Sequence, residues 1–169
     1  MDIIDLFMAL INNVTRLLDS KKIPYQAFEL PAEKHGAVET AGLLGVDPFL
    51  VYKTIVVTCP KGKPLLAVIP GPNRVDLRLL ATALGEKKVS LPTEREAEVL
   101  TGLQAGGISP LALLNKGFQV VIDSAAESKA EIHVSGGQRR LNLRLPVKAL
   151  AELTRARFAA ISVLDSESG

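Results

Sequence analysis

The chain has 169 residues, 47% hydrophobic and 22% charged, a balance that supports a folded core and excludes the polar, highly charged composition of disorder. Its net charge of +2 is too small for a general nucleic-acid coat, so neither DNA nor a membrane surface is an expected partner. Cys59 is the single cysteine, which excludes an intrachain disulfide, and His35 and His133 do not complete a zinc-ligand set with it at any usual spacing.

The length suits one domain spanning 1–169. The opening MDIIDLFMALINNVTRLLDSKK starts with acids and lacks a basic n-region, so it is expected to be a helix and not a signal. Ile3, Ile4, Phe7, Leu10, Ile11, Val14, Leu17 and Leu18 give it an apolar face at helical spacing. No run reaches transmembrane length, and a cytoplasmic location is expected. IPYQAFEL (23–30) predicts a strand, with Pro24 favouring an edge or strand start. A short helix over 38–44 should stop at Gly45. VYKTIVVT and LLAVIP, joined by CPKGKP, predict a β-hairpin over 51–70.

Asp76 is placed to cap a helix that runs through Leu84 to Gly85. Thr93 and Glu96 form a T-x-x-E capping box for a helix over 94–100, with KKVSL as a short strand between the two helices. TGLQAGGISP is too glycine-rich to be regular. FQVVID (118–123), EIHVS (131–135) and LNLRL (141–145) predict strands, and Pro146 opens a last helix over about 147–155. Only SESG at the C-terminus is expected to fray. Hairpins and short helices in this order predict an α+β fold, not a repeating βαβ unit.

One residue breaks the pattern of the hairpin. Alternation puts Lys53 on the face of Val51, Ile55 and Val57, and an ammonium there must meet water, an acid or a ligand. Three segments combine polar groups with backbone freedom: VYKT (51–54), GGISP (106–110) and VSGG (134–137). Paired glycines suit close approach of backbone N–H groups to an oxyanion, and equally suit plain tight turns. The basic pairs Lys87–Lys88 and Arg139–Arg140 could touch phosphates or simply be solvated. His133 suits a surface or hydrogen-bonded histidine better than a base, His35 sits in a loop, and no Ser-His-Asp or Cys-His arrangement is evident.

In order and spacing, VYKTIVV, DLRLLATALGEKKV, TGLQAGGISPL, VVIDSAAE and IHVSGG resemble the YbaK/EbsC-type aminoacyl-tRNA deacylases, related to the editing domain of bacterial prolyl-tRNA synthetase. The resemblance runs from about residue 13 to 162. It implies a mixed, mostly antiparallel, barrel-like sheet of six to seven strands flanked by helices. It implies hydrolysis of mischarged tRNA, closest to the Cys-tRNA(Pro) branch, with no cofactor and no metal. The implied partner is the acceptor end of aminoacyl-tRNA, with prolyl-tRNA synthetase as a candidate second partner.

By the same resemblance, Lys53, Gly107 and Ser135 are the catalytic candidates, and Tyr25, Thr54, Gly106, Ser109, Gly136 and Asn142 bind substrate. Asn142 stands where relatives commonly carry an acid, and an aromatic residue is missing near His35-Gly36-Ala37. In that branch the substrate's own thiol attacks the ester, so the protein needs only to position groups and stabilise an oxyanion. Alternatives are a deacylase for Ala- or Ser-tRNA, a non-catalytic module that binds tRNA or a synthetase, and an unrelated small-ligand barrel.

Overall fold

The computed structural model describes residues 11–166. Half of the apolar face expected at the N-terminus (Ile3, Ile4, Phe7 and Leu10) lies outside them, as does most of SESG. The described helix, α1 (Asn13–Ser20), begins at Asn12, which shares a reciprocal capping box with Thr15. The chain continues through β1 (Gln26–Glu29), α2 (Ala37–Leu44) and a 3₁₀ turn at Pro48–Leu50. The hairpin β2 (Tyr52–Val57) and β3 (Leu65–Pro70) follows, then β4 (Asn73–Val75), α3 (Leu77–Leu84) and α4 (Glu94–Thr101). After a 3₁₀ segment at Pro110–Lys116 come β5 (Gln119–Asp123), β6 (Glu131–Ser135), β7 (Leu141–Pro146), α5 (Val147–Thr154), β8 (Arg157–Ala159) and β9 (Ser162–Leu164).

The local stop and start signals act as expected. Asp76 accepts from the amides of Arg78 and Leu79, Thr93 and Glu96 cap reciprocally, and Gly45 and Gly85 end their helices in the left-handed region. KKVSL does not become a strand: it meets the end of the hairpin only at a bridge between Thr58 and Ser90. The short strands β4, β8 and β9 carry no comparable local signal and were not expected.

The strands form three sheets, ordered β1-β7-β6, β2-β3-β5-β8 and β4-β9. The pairs β1–β7, β6–β7, β2–β3 and β4–β9 are antiparallel, while β3–β5 and β5–β8 are parallel. The fold is thus α+β with mixed pairing, but the expected barrel is corrected. Closure needs every edge to be paired, and among the described residues only a single bridge, Val51 to His133, joins the β2 edge to the β6 edge of the two larger sheets.

Two cores hold the layers together. Tyr52, Val56, Leu66, Val68 and Ile122 of the four-stranded sheet pack against Ile132, Val134, Leu143 and Leu145 of the three-stranded sheet, with Leu18 and Leu150 from the helices. The opposite face of the four-stranded sheet buries Val57, Leu65, Ala67, Ile69 and Val121 under Leu80 and Ala81 of α3. β3 is therefore covered on both faces and all six of its residues are buried. β2 is its neighbour at the sheet edge, and the candidate side chains Lys53 and Thr54 lie on it. Among the described residues no helix is long and apolar enough to cross a membrane.

Candidate active site

A cavity of about 340 Å³ lies along the free edge of β2. Tyr52, Thr54 and Val56 face the first core and Lys53, Ile55 and Val57 the second, as alternation requires. At an edge strand, side chains from both faces reach around the unpaired backbone, so Lys53 and Thr54 line the same cavity. Across it stand Gly106, Ser135 and Asn142. Five of the nine sequence-predicted positions thus meet in one place.

The other four lie elsewhere. Tyr25 is not part of the cavity wall; its hydroxyl donates to Asp19 Oδ1 at 2.8 Å. Ser109 is fully buried and its Oγ accepts from the Leu111 amide, capping the 3₁₀ segment. The Gly107 amide donates to the Gln104 carbonyl at 2.8 Å, and the Gly136 amide to Leu141 at 2.9 Å. Neither amide is left to receive an oxyanion. Both glycines serve close packing: a Cβ on Gly107 would lie 2.9 Å from Gln138 Cα, and one on Gly136 would lie 2.5 Å from the Leu141 side chain.

That packing explains why the GGISP loop and the SGG turn act together. Gly107 presses on Gln138, while Arg139 Nε donates to the Ala105 carbonyl at 2.7 Å and straps turn to loop. Glu98 of α4 accepts from the Ala105 amide at 2.8 Å and fixes the loop from the other side. Gly106 is held at φ 89°, a left-handed conformation that suits glycine, and it is the loop glycine that lines the cavity. Arg139, Glu98 and the ion pair between Lys34 and Glu94, which face each other within the cavity wall, were missed as site residues. Arg139 carried a signal as half of a basic pair; Glu98 reaches Ala105 through an irregular loop, and Lys34 and Glu94 lie 60 positions apart in sequence.

The polar groups are presented in defined states. Burial pushes the Lys53 ammonium pKa down, with the carboxylate of Asp165 pulling the other way. Ser135 Oγ accepts from the Gly137 amide at 3.2 Å, leaving its own O–H to donate. His133 is buried at 1% exposure, which removes the surface alternative, and its Nδ1 lies 2.8 Å from Asn142 Oδ1. Burial lowers its pKa, so the neutral ring donates from Nδ1 and the Asn142 amide hydrogens are the part left for the cavity. Nε2 of His133 and the hydroxyl of Tyr52 are buried without partners. Burial, then Asp123, raises the Tyr52 pKa, so it stays a neutral phenol.

The thiol lies elsewhere: Cys59 borders a separate cleft with Lys63 and Glu86, and burial raises its pKa. Among the described residues no group of three or more His, Cys, Asp or Glu side chains is placed to hold a metal.

Similarity to known proteins agrees with this geometry. Residues 32–153 match the aminoacyl-tRNA editing domain family. The chain is 35% identical over 152 residues to EbsC of Enterococcus faecalis, provisionally named a Cys-tRNA(Pro)/Cys-tRNA(Cys) deacylase, covering 89% of this chain and 92% of that protein. Among solved structures, hypothetical protein APE2540 superposes with a TM-score of 0.82 at 26% identity, covering 90% of this chain and all of the other. A protein provisionally described as a trans-editing enzyme for prolyl-tRNA synthetase gives 0.76 at 26% identity, over 90% and 99% of the two chains. The chain belongs to the aminoacyl-tRNA editing domain family, as a YbaK/EbsC-type aminoacyl-tRNA deacylase.

Proposed function

We propose that the protein clears cysteine from mischarged tRNA, with Cys-tRNA(Pro) as its preferred substrate, and that the substrate's thiol is the nucleophile. The observation that carries this reading is a cavity with donors converging on it and, among the described residues, no activated protein nucleophile beside them. Lys53 supplies charge, while the Ser135 hydroxyl and the Asn142 amide supply hydrogen bonds. The Gly106 amide, on the loop glycine that lines the cavity, has no hydrogen-bond partner among the described residues and takes the donor role in place of Gly107.

The step is intramolecular. The cysteinyl sulfur forms a bond to its own ester carbon, the bond from that carbon to the tRNA oxygen breaks, and the thiol proton ends on the terminal ribose hydroxyl. Water then opens the thiolactone to free cysteine. Charge builds on the carbonyl oxygen and on the leaving oxygen, and Lys53 with the fixed donors lowers the barrier by meeting that charge without reorganising. The pocket walls, Ile55, Ala97 and Ile108 among them, suit a small, weakly polar side chain.

Incubation with Cys-, Ser-, Ala- and Pro-charged tRNA tests the reading. Cysteinyl ester should be released fastest, and seryl ester much more slowly because its hydroxyl is nearly isosteric but a poorer nucleophile. Equal rates for the two would replace thiol attack by an activated water. No release from any of the four would favour a tRNA-binding module.

A further inference from the structure

An aminoacyl ester joins two unlike halves, an amino acid and a nucleotide, through one oxygen. A site that cuts it needs two compartments meeting at the scissile bond. The cavity above is only one of them. A second, of about 610 Å³, lies against the other face of β2 and shares Lys53, Ile55 and Leu91 with the first.

The second compartment has a different chemistry. Its wall is apolar, with Ile55, Ile69, Val75 and Leu77, and Leu91 stands 53% exposed where the cavities join. Arg74 and Arg78 line it too, both exposed. Neither guanidinium has an ion-pair or hydrogen-bond partner among the described residues. The acid among its lining residues, Asp76, already accepts from the Arg78 and Leu79 amides, and Asp165 acts on Lys53. Three cations against these two acids leave the compartment positive.

We propose that this compartment holds the terminal nucleotide of the tRNA acceptor end, its base against the apolar wall and its backbone phosphate on Arg74 and Arg78. The inference rests on the deacylase reading and adds the nucleotide half of the site. Lys53, shared by both compartments, then stands at the ester. The cations of the first cavity are less suited to phosphate, because Lys34 is paired with Glu94 and Arg139 Nε is engaged by Ala105. An arginine fork on phosphate is a strong, charge-assisted contact, and an exposed base gains from an apolar wall.

The test compares wild type, the double variant Arg74→Ala/Arg78→Ala, and Arg139→Ala on Cys-tRNA(Pro) and on 3′-O-cysteinyl-adenosine, which carries no phosphate. The double variant should lose about tenfold in kcat/KM on tRNA, through KM with kcat unchanged. Its salt dependence should flatten by about 0.7 in log–log slope, as for one single-strand phosphate released from neutralisation. Hydrolysis of cysteinyl-adenosine should not change. An unaffected double variant, an equal loss on both substrates, or a loss confined to Arg139→Ala would overturn the proposal.

Binding of an uncharged CCA-ended minihelix, measured by titration against salt, keeps the two readings separate. If no ester is cleaved but minihelix binding still depends on Arg74 and Arg78, the deacylase reading falls and the nucleotide site stands. If esters are cleaved and binding is indifferent to both arginines, the nucleotide site falls alone. Free AMP competing as well as the minihelix would reassign the compartment to a mononucleotide.

Discussion

β2 and β3 are neighbours in one sheet, paired residue for residue, yet they are built for opposite purposes. Lys53 lies opposite Ile69 and Thr54 opposite Val68. On β3 both faces are covered and every side chain is apolar; on β2 the same faces carry a lysine and a threonine. The difference is position in the sheet. An edge strand lets a charged side chain share an apolar face and still reach a cavity, whereas one strand further in the same ammonium would be sealed without a partner.

The most severe way to break that comparison is to move the charge across the pair. Ile69→Lys puts an unpaired ammonium where exposure is 0%, between α3 and the sheet. A buried, uncompensated charge costs at least about 3 kcal/mol, a large part of the stability of a domain this size. The expected outcome is insoluble or unfolded protein, checked by circular dichroism and yield. A soluble variant with wild-type melting would mean that the second core is far looser than its packing implies.

Taking the charge away from β2 should do the reverse: abolish function and spare the fold. Lys53→Ala should slow deacylation by on the order of 10²-fold, as deleting an oxyanion donor does. Lys53→Met, which keeps the stem, should melt higher than wild type. The pKa of Lys53 is depressed in the fold, so below that value the folded state carries a charge that the unfolded chain holds more easily. This penalty is relieved as pH rises from the folded pKa toward the ordinary lysine value. The gain in melting temperature should therefore be present at pH 7 and shrink in alkali, and a gain that does not vary with pH would exclude desolvation as its cause.

The same contrast governs what could be foreseen. Asp76, Thr93, Glu96, Gly45 and Gly85 act on backbone groups within a few residues, so the helix ends they set were legible. Lys53 was legible because strand alternation is local. Barrel closure was not, since it depends on whether distant edges meet, and β4 pairs with β9 across some ninety positions, as in Asn73 with Leu164. Within the site, Gly106 and Gly107 look alike in sequence. Only the turn decides that Gly107 gives its amide to Gln104 and its missing side chain to Gln138. Asn142 was visible as a departure from an acid; that His133 holds it by Nδ1 was not.

His133 sharpens the comparison from a third strand. β6 is also at a sheet edge, yet His133 is buried beneath Phe28, whose ring centroid lies 5.5 Å away. Being on an edge is therefore not enough; the edge must also be open. Burial lowers the His133 pKa, opposed by the bond to Asn142, and Arg144 lowers it further against Glu131. Between the folded pKa and the ordinary value near 6.5, the unfolded chain binds the proton and the folded one does not. Stability should be complete above about pH 6.5 and fall as acid is added through that window. His133→Gln, which can still donate to Asn142, should remove this part of the acid slope in melting temperature measured from pH 7 to 5. An unchanged slope would assign it to other groups.

The smallest effect is expected at Cys59, just beyond the end of β2. Its thiol is half-buried against the second core, and burial together with Glu86 raises its pKa, so at neutral pH it is an unreactive thiol. It borders a cleft that shares no lining residue with the Lys53 cavity. Cys59→Ser should therefore leave the deacylation rate unchanged and shift stability by no more than about 0.5 kcal/mol, the range of substitutions away from tightly packed sites. Chelator should be equally without effect, because the proposed step uses only donors from the chain and the thiol of the substrate. The informative control is alkylation. If iodoacetamide abolishes turnover in wild type but not in Cys59→Ser, then either the cleft at the hairpin end communicates with the site or the protein supplies the attacking sulfur after all. Rates of the two proteins on Cys-tRNA(Pro), measured side by side after alkylant has been removed, decide between a nucleophile carried by the enzyme and one carried by the substrate.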